Sequence, residues 1–268
     1  MAACLNYIMK SMEKNAVITG ATSGIGYQMA KILHTKGYSL WLTGRNLKAI
    51  EGLKIEFPSC NTLSADLSKD SGREDFWKWI GQTPVDLMIN NAGYGVWKEV
   101  IKSEKGELEN MIKLNVEILL HFSAEFAKRM VKRGAGRILN VASVAAFFPG
   151  PNLAAYYASK AFVLSFSEAL NHELRKTKVR VTTLCPGPTK SKFFERAGVK
   201  KSPLMEGFLI PHMSAFKVAL RGIDGALKGR RRVVPGFMNY IWTISPILVP
   251  RFLQLRILNY IQNSRKIA

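Results

Sequence analysis

Residues 15–46 read NAVITGATSGIGYQMAKILHTKGYSLWLTGRN, and this stretch decides the fold. An apolar run at 16–19 leads into a turn with the pattern G-x-x-x-G-x-G, and an amphipathic helical pattern follows. Glycine suits such a turn because it adopts backbone angles that other residues avoid, and because it lets a pyrophosphate approach the N-terminus of the helix. The strand–turn–helix context predicts dinucleotide binding. The cofactor contacts predicted here are Gly20, Thr22, Ser23, Gly24, Ile25 and Gly26.

Alternating strand and helix patterns continue beyond this unit and predict the fold class. Segments with helical patterns separate short apolar runs at 39–43, 62–64, 85–89, 138–142 and 179–184. Such alternation predicts an α/β protein with a Rossmann-type, doubly wound parallel sheet, in which ligands bind at the carboxyl ends of the strands. We assign residues 14–234 to this single domain, residues 1–13 to an N-terminal extension, and residues 235–268 to a basic, apolar C-terminal helical tail.

The end of the second strand indicates which dinucleotide binds. Gly44, Arg45 and Asn46 stand where a Rossmann unit meets the adenosine ribose. An acidic residue there would bind a free 2′-hydroxyl, whereas Arg45 beside a glycine offers room and positive charge for a 2′-phosphate. Arg45 and Asn46 are therefore predicted cofactor contacts, and NADP(H) is the predicted cofactor. The alternative is that Arg45 is a solvated charge at the start of the next helix.

Polar and small residues follow three further strands. A carboxylate at Asp66 could hydrogen-bond the adenine amino group, and the small residues after the fourth strand let the backbone pass close to a ligand. A loop with two prolines, residues 185–189, lies at the mouth of the expected crevice. The cofactor contacts predicted in these loops are Asp66, Leu67, Asn91, Ala92, Gly93, Pro186, Gly187 and Thr189.

A serine, a tyrosine and a lysine between residues 136 and 160 indicate chemistry on an alcohol or carbonyl oxygen. Ser143 stands where an apolar strand stops, and Tyr156 and Lys160 are four residues apart, hence one turn apart on a helix. An ammonium beside the phenol would stabilise its anion and lower a pKa that is about 10 in a free tyrosine. The alternative is an ordinary exposed helix pair. Tyr157 lacks this spacing and is interpreted as a packing residue.

Two long helices carry further signals. The helix predicted at about 107–133 contains Asn115 within an apolar stretch. Mid-helix asparagine is disfavoured, so its side chain either faces solvent or satisfies an internal group. The apolar positions of the helix at about 154–176 exceed one face, and such helices commonly bury a second surface against another subunit. We expect a homodimer or homotetramer.

Together these motifs resemble the classical short-chain dehydrogenase/reductase family. Residues 19–26 are similar to its cofactor turn, residues 90–93 to its N-N-A-G element, and Tyr156 with Lys160 to its active site. Ser143 and Asn115 fall where the family has its other two catalytic residues, and residues 186–187 where it has its second cofactor loop. The resemblance covers about residues 14–234 and implies hydride transfer between a nicotinamide and a carbonyl or secondary alcohol.

The resemblance also implies a role for each catalytic residue. Ser143 would hold the substrate oxygen while Tyr156 moves the proton. Lys160 would lower the pKa of Tyr156 and bind the nicotinamide ribose, so Tyr156 and Lys160 are also predicted cofactor contacts. Asn115 would connect a buried water to Lys160.

The segment at about 190–211 is predicted to be a mobile substrate lid. Its apolar residues favour a lipophilic substrate, such as a 3-oxoacyl or steroid-like compound, for an NADP(H)-dependent oxidoreductase, although core packing would explain them equally. The alternative is a non-catalytic NADP-binding interaction protein on the same fold. The complete set of four catalytic residues argues against that alternative.

Composition limits the partners and the compartment. Lysine and arginine number 39 against 19 acidic residues, a net charge of +20 that favours anionic partners, although solvated lysines also explain such a count. No basic–aromatic recognition motif supports nucleic-acid binding. Cys4, Cys60 and Cys185 lack C-x-x-C spacing and are interpreted as free thiols, and the histidines lack metal-ligand spacing. We expect a cytoplasmic protein without a metal site or a secretory signal.

Residues 225–268 contain eight basic and no acidic residues. The uncharged run at 233–250 approaches the length of a membrane span, but its prolines argue against one continuous helix, so two short helices are expected. In the second helix an apolar stripe accompanies basic residues, which suits the surface of an anionic bilayer and predicts possible membrane association. The stripe is Phe252, Leu255, Leu258 and Ile261, and the basic residues are Arg251, Arg256, Arg265 and Lys266. The alternative is packing over the substrate crevice or against a second subunit.

Overall fold

The computed structural model describes residues 14–191, 193–198 and 212–263. The predicted N-terminal extension, residues 192 and 199–211 of the predicted lid, and residues 264–268 lie outside these ranges. The strands are β1 (Asn15–Thr19), β2 (Ser39–Gly44), β3 (Asn61–Ser64), β4 (Leu87–Asn90), β5 (Gly136–Val141), β6 (Val179–Leu184), β7 (Thr189–Lys190), β8 (Met213–Ser214) and β9 (Arg232–Val233). Seven of them form one parallel sheet in the order β3-β2-β1-β4-β5-β6-β9, and β7 pairs with β8 separately.

The helices alternate with the strands as the sequence predicts. They are α1 (Gly24–Thr35), α2 (Leu47–Glu56), α3 (Asp70–Ile80), α4 (Glu107–Ile112), α5 (Leu119–Arg133), α6 (Ala154–Glu173), α7 (Phe193–Arg196), α8 (Ala215–Leu227), α9 (Phe237–Leu248) and α10 (Arg251–Asn263). The strand order reverses at β1, where β4 pairs on the side opposite β2. A ligand crevice is expected at such a switch point, at the carboxyl ends of the strands. The predicted Rossmann-type fold is confirmed.

Both faces of the sheet are covered, which explains the continuous apolar runs of the strands. On one face, Ile18 packs in a buried cluster with Met29 of α1 and Val218 of α8. On the other face, Val17 packs in a cluster with Phe76 of α3 and Phe122 of α5. Successive residues of β1 therefore point into opposite cores, as the two-residue period of a strand requires.

The helix predicted at 107–133 has the expected limits but a different interior. A π-helical segment, Lys113–Ile118, joins α4 to α5 and contains Asn115. π-helical turns inside longer helices are rare and occur frequently at functional sites.

The two helices predicted in the tail are confirmed. Pro246 lies inside α9, and Pro250 directly precedes α10. The 12 residues of α9 extend about 18 Å, against about 30 Å for the hydrocarbon core of a bilayer. Within residues 14–191, 193–198 and 212–263, no helix is long and apolar enough to cross a membrane.

Candidate active site

Hydrogen bonds and close packing join the glycine turn after β1 to the loop after β4. Gly20 and Gly24 have positive φ angles of 67° and 58°, which favour glycine. The Asn91 side-chain Nδ2 donates hydrogen bonds to the carbonyl oxygens of Thr19 and Gly20, at 2.9 and 3.0 Å. A Cβ on Gly26 would lie only 2.4 Å from that nitrogen, so glycine is required there by close packing. The two sequence motifs are thus parts of one structural unit.

A cavity of about 740 Å³ extends from this turn along the carboxyl ends of the strands. The Ser23 side chain makes no capping bond at the start of α1, so a ligand can reach the N-terminus of that helix. Predicted cofactor residues that line the cavity are Gly20, Thr22, Ser23, Gly24, Ile25, Arg45, Asn46, Leu67, Asn91, Ala92, Gly93, Tyr156, Lys160, Pro186, Gly187 and Thr189. The left-handed glycines, the approachable helix terminus and the size of the cavity fit a nicotinamide dinucleotide.

Two predicted cofactor residues have other contacts. Gly26 packs beneath the turn, where a Cβ would lie 2.5 Å from the Gly20 carbonyl oxygen. The Asp66 carboxylate accepts hydrogen bonds from the backbone nitrogen and the hydroxyl of Ser68, at 3.1 and 2.7 Å. Partial burial raises the pKa of Asp66, but the Ser68 hydrogen bonds and the Arg45 charge outweigh it and leave that pKa below its ordinary value. Its role toward adenine stays a prediction.

Of the two residues that follow β2, Asn46 caps a helix and Arg45 places a positive charge at the cavity wall. Asn46 Oδ1 accepts a hydrogen bond from the Ala49 backbone nitrogen at 2.9 Å, and so caps α2. The Arg45 guanidinium lies 5.8 Å from the centroid of the Tyr94 ring, at the cavity wall. This cation–π contact places the Arg45 guanidinium beside the Tyr94 ring.

Tyr156 is buried next to Ser143. Ser143 follows β5, and its Oγ accepts a hydrogen bond from the Ala145 backbone nitrogen at 3.1 Å and donates one to the Pro186 carbonyl oxygen at 3.4 Å. Burial raises the pKa of Tyr156 well above its ordinary value, and the nearby Ser143 side chain offsets only part of this rise. The raised pKa differs from the depression expected from Lys160, because desolvation of the phenolate dominates.

Lys160 lies beside the tyrosine without contacting its hydroxyl. Its Nζ is 5.8 Å from the centroid of the Tyr156 ring and donates a hydrogen bond to the Val141 carbonyl oxygen at 2.8 Å. Burial lowers the pKa of Lys160 to about 8. The Lys160 ammonium thus lies near the Tyr156 ring while its hydrogen bond goes to the backbone, and its charge changes with pH near 8.

Asn115 lies behind the cavity and satisfies an internal group, one of the two options predicted. Its Oδ1 accepts from the Tyr94 backbone nitrogen at 3.1 Å, while its Nδ2 donates to the Tyr94 carbonyl at 2.9 Å and to Ser159 Oγ at 3.1 Å. A Cβ on Gly93 would approach both Asn115 Oδ1, at 2.9 Å, and Lys160 Nζ, at 3.5 Å. Sequence reasoning missed Ser159, although a polar residue directly before Lys160 was a usable signal.

The far end of the cavity is mainly apolar and includes the tail. Its lining there consists of Phe148, Leu153, Tyr157, Phe193, Phe194, Trp242 and Leu258 together with Arg196. Trp242 packs edge-on against Phe148 at 5.9 Å, and Phe193 lies 5.2 Å from Tyr156, both between ring centroids. The alternative that the tail packs over the crevice is therefore confirmed for these residues.

Leu258 corrects the predicted bilayer face of α10. It is buried and lines the cavity, so it does not belong to an outward apolar stripe. One helical turn further, Gln262 Nε2 donates a 3.2 Å hydrogen bond to the Tyr157 hydroxyl. Tyr157 is thus a packing residue, as predicted, although it also lines the cavity.

Neither of the cysteines that the structure describes lines this cavity. Cys60 and Cys185 are free thiols, and Cys4 lies outside the described residues. In the part of the chain that the structure describes, no three His, Cys, Asp or Glu side chains form a possible metal site.

Known proteins share this arrangement. The short chain dehydrogenase family model matches residues 14–201. An uncharacterized oxidoreductase of Staphylococcus epidermidis is 33% identical over 181 residues, which cover 66% of this chain and 79% of the relative. A short-chain dehydrogenase from Sphingobium yanoikuyae in complex with NADPH has a TM-score of 0.76 and 26% identity, covering 84% of this chain and 88% of that one.

A bulky-bulky ketone specific alcohol dehydrogenase from Comamonas testosteroni is also similar, with a TM-score of 0.71, 25% identity, and coverage of 84% of this chain and 86% of that one. The fold, the sequence motifs and the residues matched by the family model all indicate the same family. The chain belongs to the classical short-chain dehydrogenase/reductase family of oxidoreductases.

Proposed function

We propose that the protein is an NADP(H)-dependent oxidoreductase that interconverts a ketone and a secondary alcohol on a lipophilic substrate. The observation that carries this proposal is the buried Tyr156, which lines one cavity together with Ser143 and Lys160, at the junction between its glycine-lined and apolar parts. A non-catalytic role would not require a buried acid, a nearby serine and a cation at that junction.

The glycine-lined part of the cavity would hold the cofactor. The turn at residues 20–25 would bind the pyrophosphate, and Arg45 the 2′-phosphate, because a guanidinium matches phosphate geometry. When bound, the nicotinamide supplies or accepts the hydride. The NADPH bound to the Sphingobium relative supports this choice of cofactor.

The chain's own residues would handle the proton. In the reducing direction Ser143 holds the carbonyl oxygen, and the Tyr156 hydroxyl gives that oxygen its proton. Burial keeps the phenol protonated beforehand, and the nearby Lys160 ammonium stabilises the phenolate that remains. Asn115 is a positioning residue, since its side-chain nitrogen donates hydrogen bonds to the Tyr94 carbonyl oxygen and to Ser159 Oγ.

The apolar end of the cavity favours the substrate class. Phe148, Leu153, Trp242 and Leu258 offer no charge to a substrate, so affinity from these residues comes from burial of apolar surface, while Arg196 brings a positive charge to the same end. The bulky-ketone specificity of the Comamonas relative agrees with such a pocket. We propose a 3-oxoacyl or steroid-like ketone.

The test is consumption of NADPH, followed by absorbance, with a panel of straight-chain, 3-oxoacyl and steroidal ketones and with NADH in parallel. We expect turnover of lipophilic ketones with NADPH preferred. Tight NADPH binding without turnover of any ketone or alcohol would instead support the non-catalytic alternative.

Arg45→Ala tests the cofactor assignment. A charge-assisted hydrogen bond contributes about 1.5–3 kcal/mol, so kcat/KM for NADPH should fall roughly 10- to 150-fold while the value for NADH stays nearly unchanged. Lys48→Ala removes an exposed positive charge from α2 and should change neither. Equal losses with both cofactors for Arg45→Ala would refute this role.

We also propose self-association through α6. Phe162 and Phe166 stack at 5.7 Å with an interplanar angle of 11°, and Phe162 is 36% exposed on the helix surface. Sedimentation velocity should show a dimer or tetramer, and Phe162→Lys should shift it toward the monomer.

A further inference from the structure

Helix α10 buries mainly polar side chains and exposes large apolar ones. The buried side chains described on it are Gln254, Leu258 and Gln262, which recur every four residues and form one stripe facing the body of the protein. Two of these three are polar. The exposed positions carry large apolar side chains: Phe252 is 64% and Tyr260 is 75% exposed.

Helix α9 likewise buries polar side chains and exposes large apolar ones. Its buried residues are Asn239 and Thr243, both polar. Phe237, Ile247 and Leu248 are 77%, 81% and 79% exposed. We name the exposed apolar surface of the two helices the outer tail face, which consists of Phe237, Met238, Tyr240, Ile241, Ile244, Ile247, Leu248, Phe252, Leu253, Leu255, Ile257 and Tyr260.

An apolar surface of this extent indicates a binding partner, because soluble proteins rarely expose large contiguous apolar patches to water. Charge indicates which partner. Arg251 and Arg256 are exposed on α10, and residues 225–268 contain eight basic and no acidic residues. A second copy of the tail would set arginines against arginines without a carboxylate to pair them. An anionic lipid surface complements both the apolar and the basic side chains.

We propose that the outer tail face docks on the surface of an anionic bilayer. The docking is interfacial, since none of the described helices can span a membrane. Trp242 and Leu258 line the cavity from these same helices, so docking would place the apolar end of the cavity beside the lipid. Lipid binding by this face is independent of the proposed reaction, and its measurement needs no substrate.

The test is co-sedimentation of the full-length protein with phosphatidylglycerol or phosphatidylcholine vesicles at low salt. We expect binding to phosphatidylglycerol, weak binding to phosphatidylcholine, and release by high salt. The variant I247Q/L248Q/F252Q should lose at least tenfold in affinity. The matched control L47Q/I55Q/I101Q changes apolar residues of similar exposure, 59%, 83% and 89%, outside the tail and should bind like the wild type.

A second variant tests the charge. Each basic residue near an anionic surface contributes about fivefold in affinity, so R251Q/R256Q should lose roughly 25-fold on phosphatidylglycerol and little on phosphatidylcholine. Circular dichroism and thermal unfolding establish that each variant is folded. Folded wild-type protein that ignores phosphatidylglycerol overturns the proposal. If sedimentation velocity then shows an oligomer that I247Q/L248Q/F252Q dissociates, the face binds a second copy instead.

Discussion

The buried amide side chains beneath the site and those in the tail are paired differently. Beneath the site, Asn90 Nδ2 donates to Asn140 Oδ1 at 2.8 Å, and Asn140 Nδ2 donates to Ser167 Oγ at 2.9 Å. In the tail the buried amides of Asn239, Gln254 and Gln262 donate through nitrogen, while their oxygens have no protein partner among the described residues.

This difference shows in which region internal hydrogen bonding fixes the arrangement of the buried amides and in which region it does not. A fully paired buried network favours one arrangement, because losing any partner leaves a desolvated polar atom. The tail contains half-paired amides and an outward apolar surface, so its position depends on its contacts with the cavity lining. The doublet Tyr156-Tyr157 joins the two regions, since Tyr156 lines the cavity beside Ser143 and the Tyr157 hydroxyl accepts a hydrogen bond from Gln262 of the tail.

The largest expected effect separates the two tyrosines. Tyr156→Phe removes the proton-carrying oxygen and keeps the ring, so turnover should fall at least 100-fold, since a positioned acid or base contributes 10²–10⁴. Tyr157→Phe loses only a hydrogen bond to the tail and should change turnover less than threefold. Steady-state kinetics with an active ketone measures both, and an inactive Tyr157→Phe beside an active Tyr156→Phe would reverse the site assignment.

The next effect is on stability and concerns Lys160. Its pKa of about 8 in the folded protein lies below its ordinary value of 10.5, so between these values the unfolded chain binds more protons and stability rises with pH. Below pH 8 folding carries the full cost of burying the charge, roughly 3 kcal/mol. Lys160→Met removes this dependence.

Urea unfolding from pH 7 to 9.5 checks this expectation. The stability of the wild type should rise relative to Lys160→Met over that range, whereas the exposed Lys105→Met should follow the wild type. The raised pKa values of Tyr156 and Tyr157 lower stability only above about pH 10, where the unfolded tyrosines ionise first. A constant difference between wild type and Lys160→Met would contradict the assignment.

Gly187→Ala tests how closely the tail packs on the second cofactor loop. A Cβ there would lie 2.1 Å from Asn239 Oδ1, so α9 or the loop must shift, at a cost of about 1–3 kcal/mol in the free energy of unfolding. Gly52→Ala lies in α2 with no atom within 4 Å of the added Cβ and should stabilise by up to ~1 kcal/mol. Adding Asn239→Ala should recover part of the Gly187→Ala loss if this contact is responsible.

The smallest effect concerns the bond that ties α10 to the body. Gln262→Leu removes the donor to the Tyr157 hydroxyl and should cost about 1 kcal/mol in urea unfolding. A double-mutant cycle with Tyr157→Phe should give a coupling energy of about 0.5–1.5 kcal/mol. A coupling energy of zero would show that apolar contacts alone hold α10.

Much of the sheet region was predictable because its constraints are local. Left-handed glycines, strand ends and the four-residue spacing of Tyr156 and Lys160 each follow from backbone geometry within a few residues. The alternation of strands and helices then restricts the topology to a parallel sheet with its crevice at the carboxyl edge. The location of the predicted catalytic and cofactor residues around one cavity follows from that topology.

What the tertiary structure alone decided depends on contacts between distant residues. Burial sets the pKa of Tyr156 above the value expected from Lys160, because desolvation depends on neighbours that no spacing reveals. The bond between Tyr157 and Gln262 joins residues 105 positions apart. The sequence by itself determined that α10 is amphipathic, but only packing against the cavity decided that Leu258 faces inward and the apolar majority faces out. Periodicity shows which residues share a helix face, but it does not show what that face packs against.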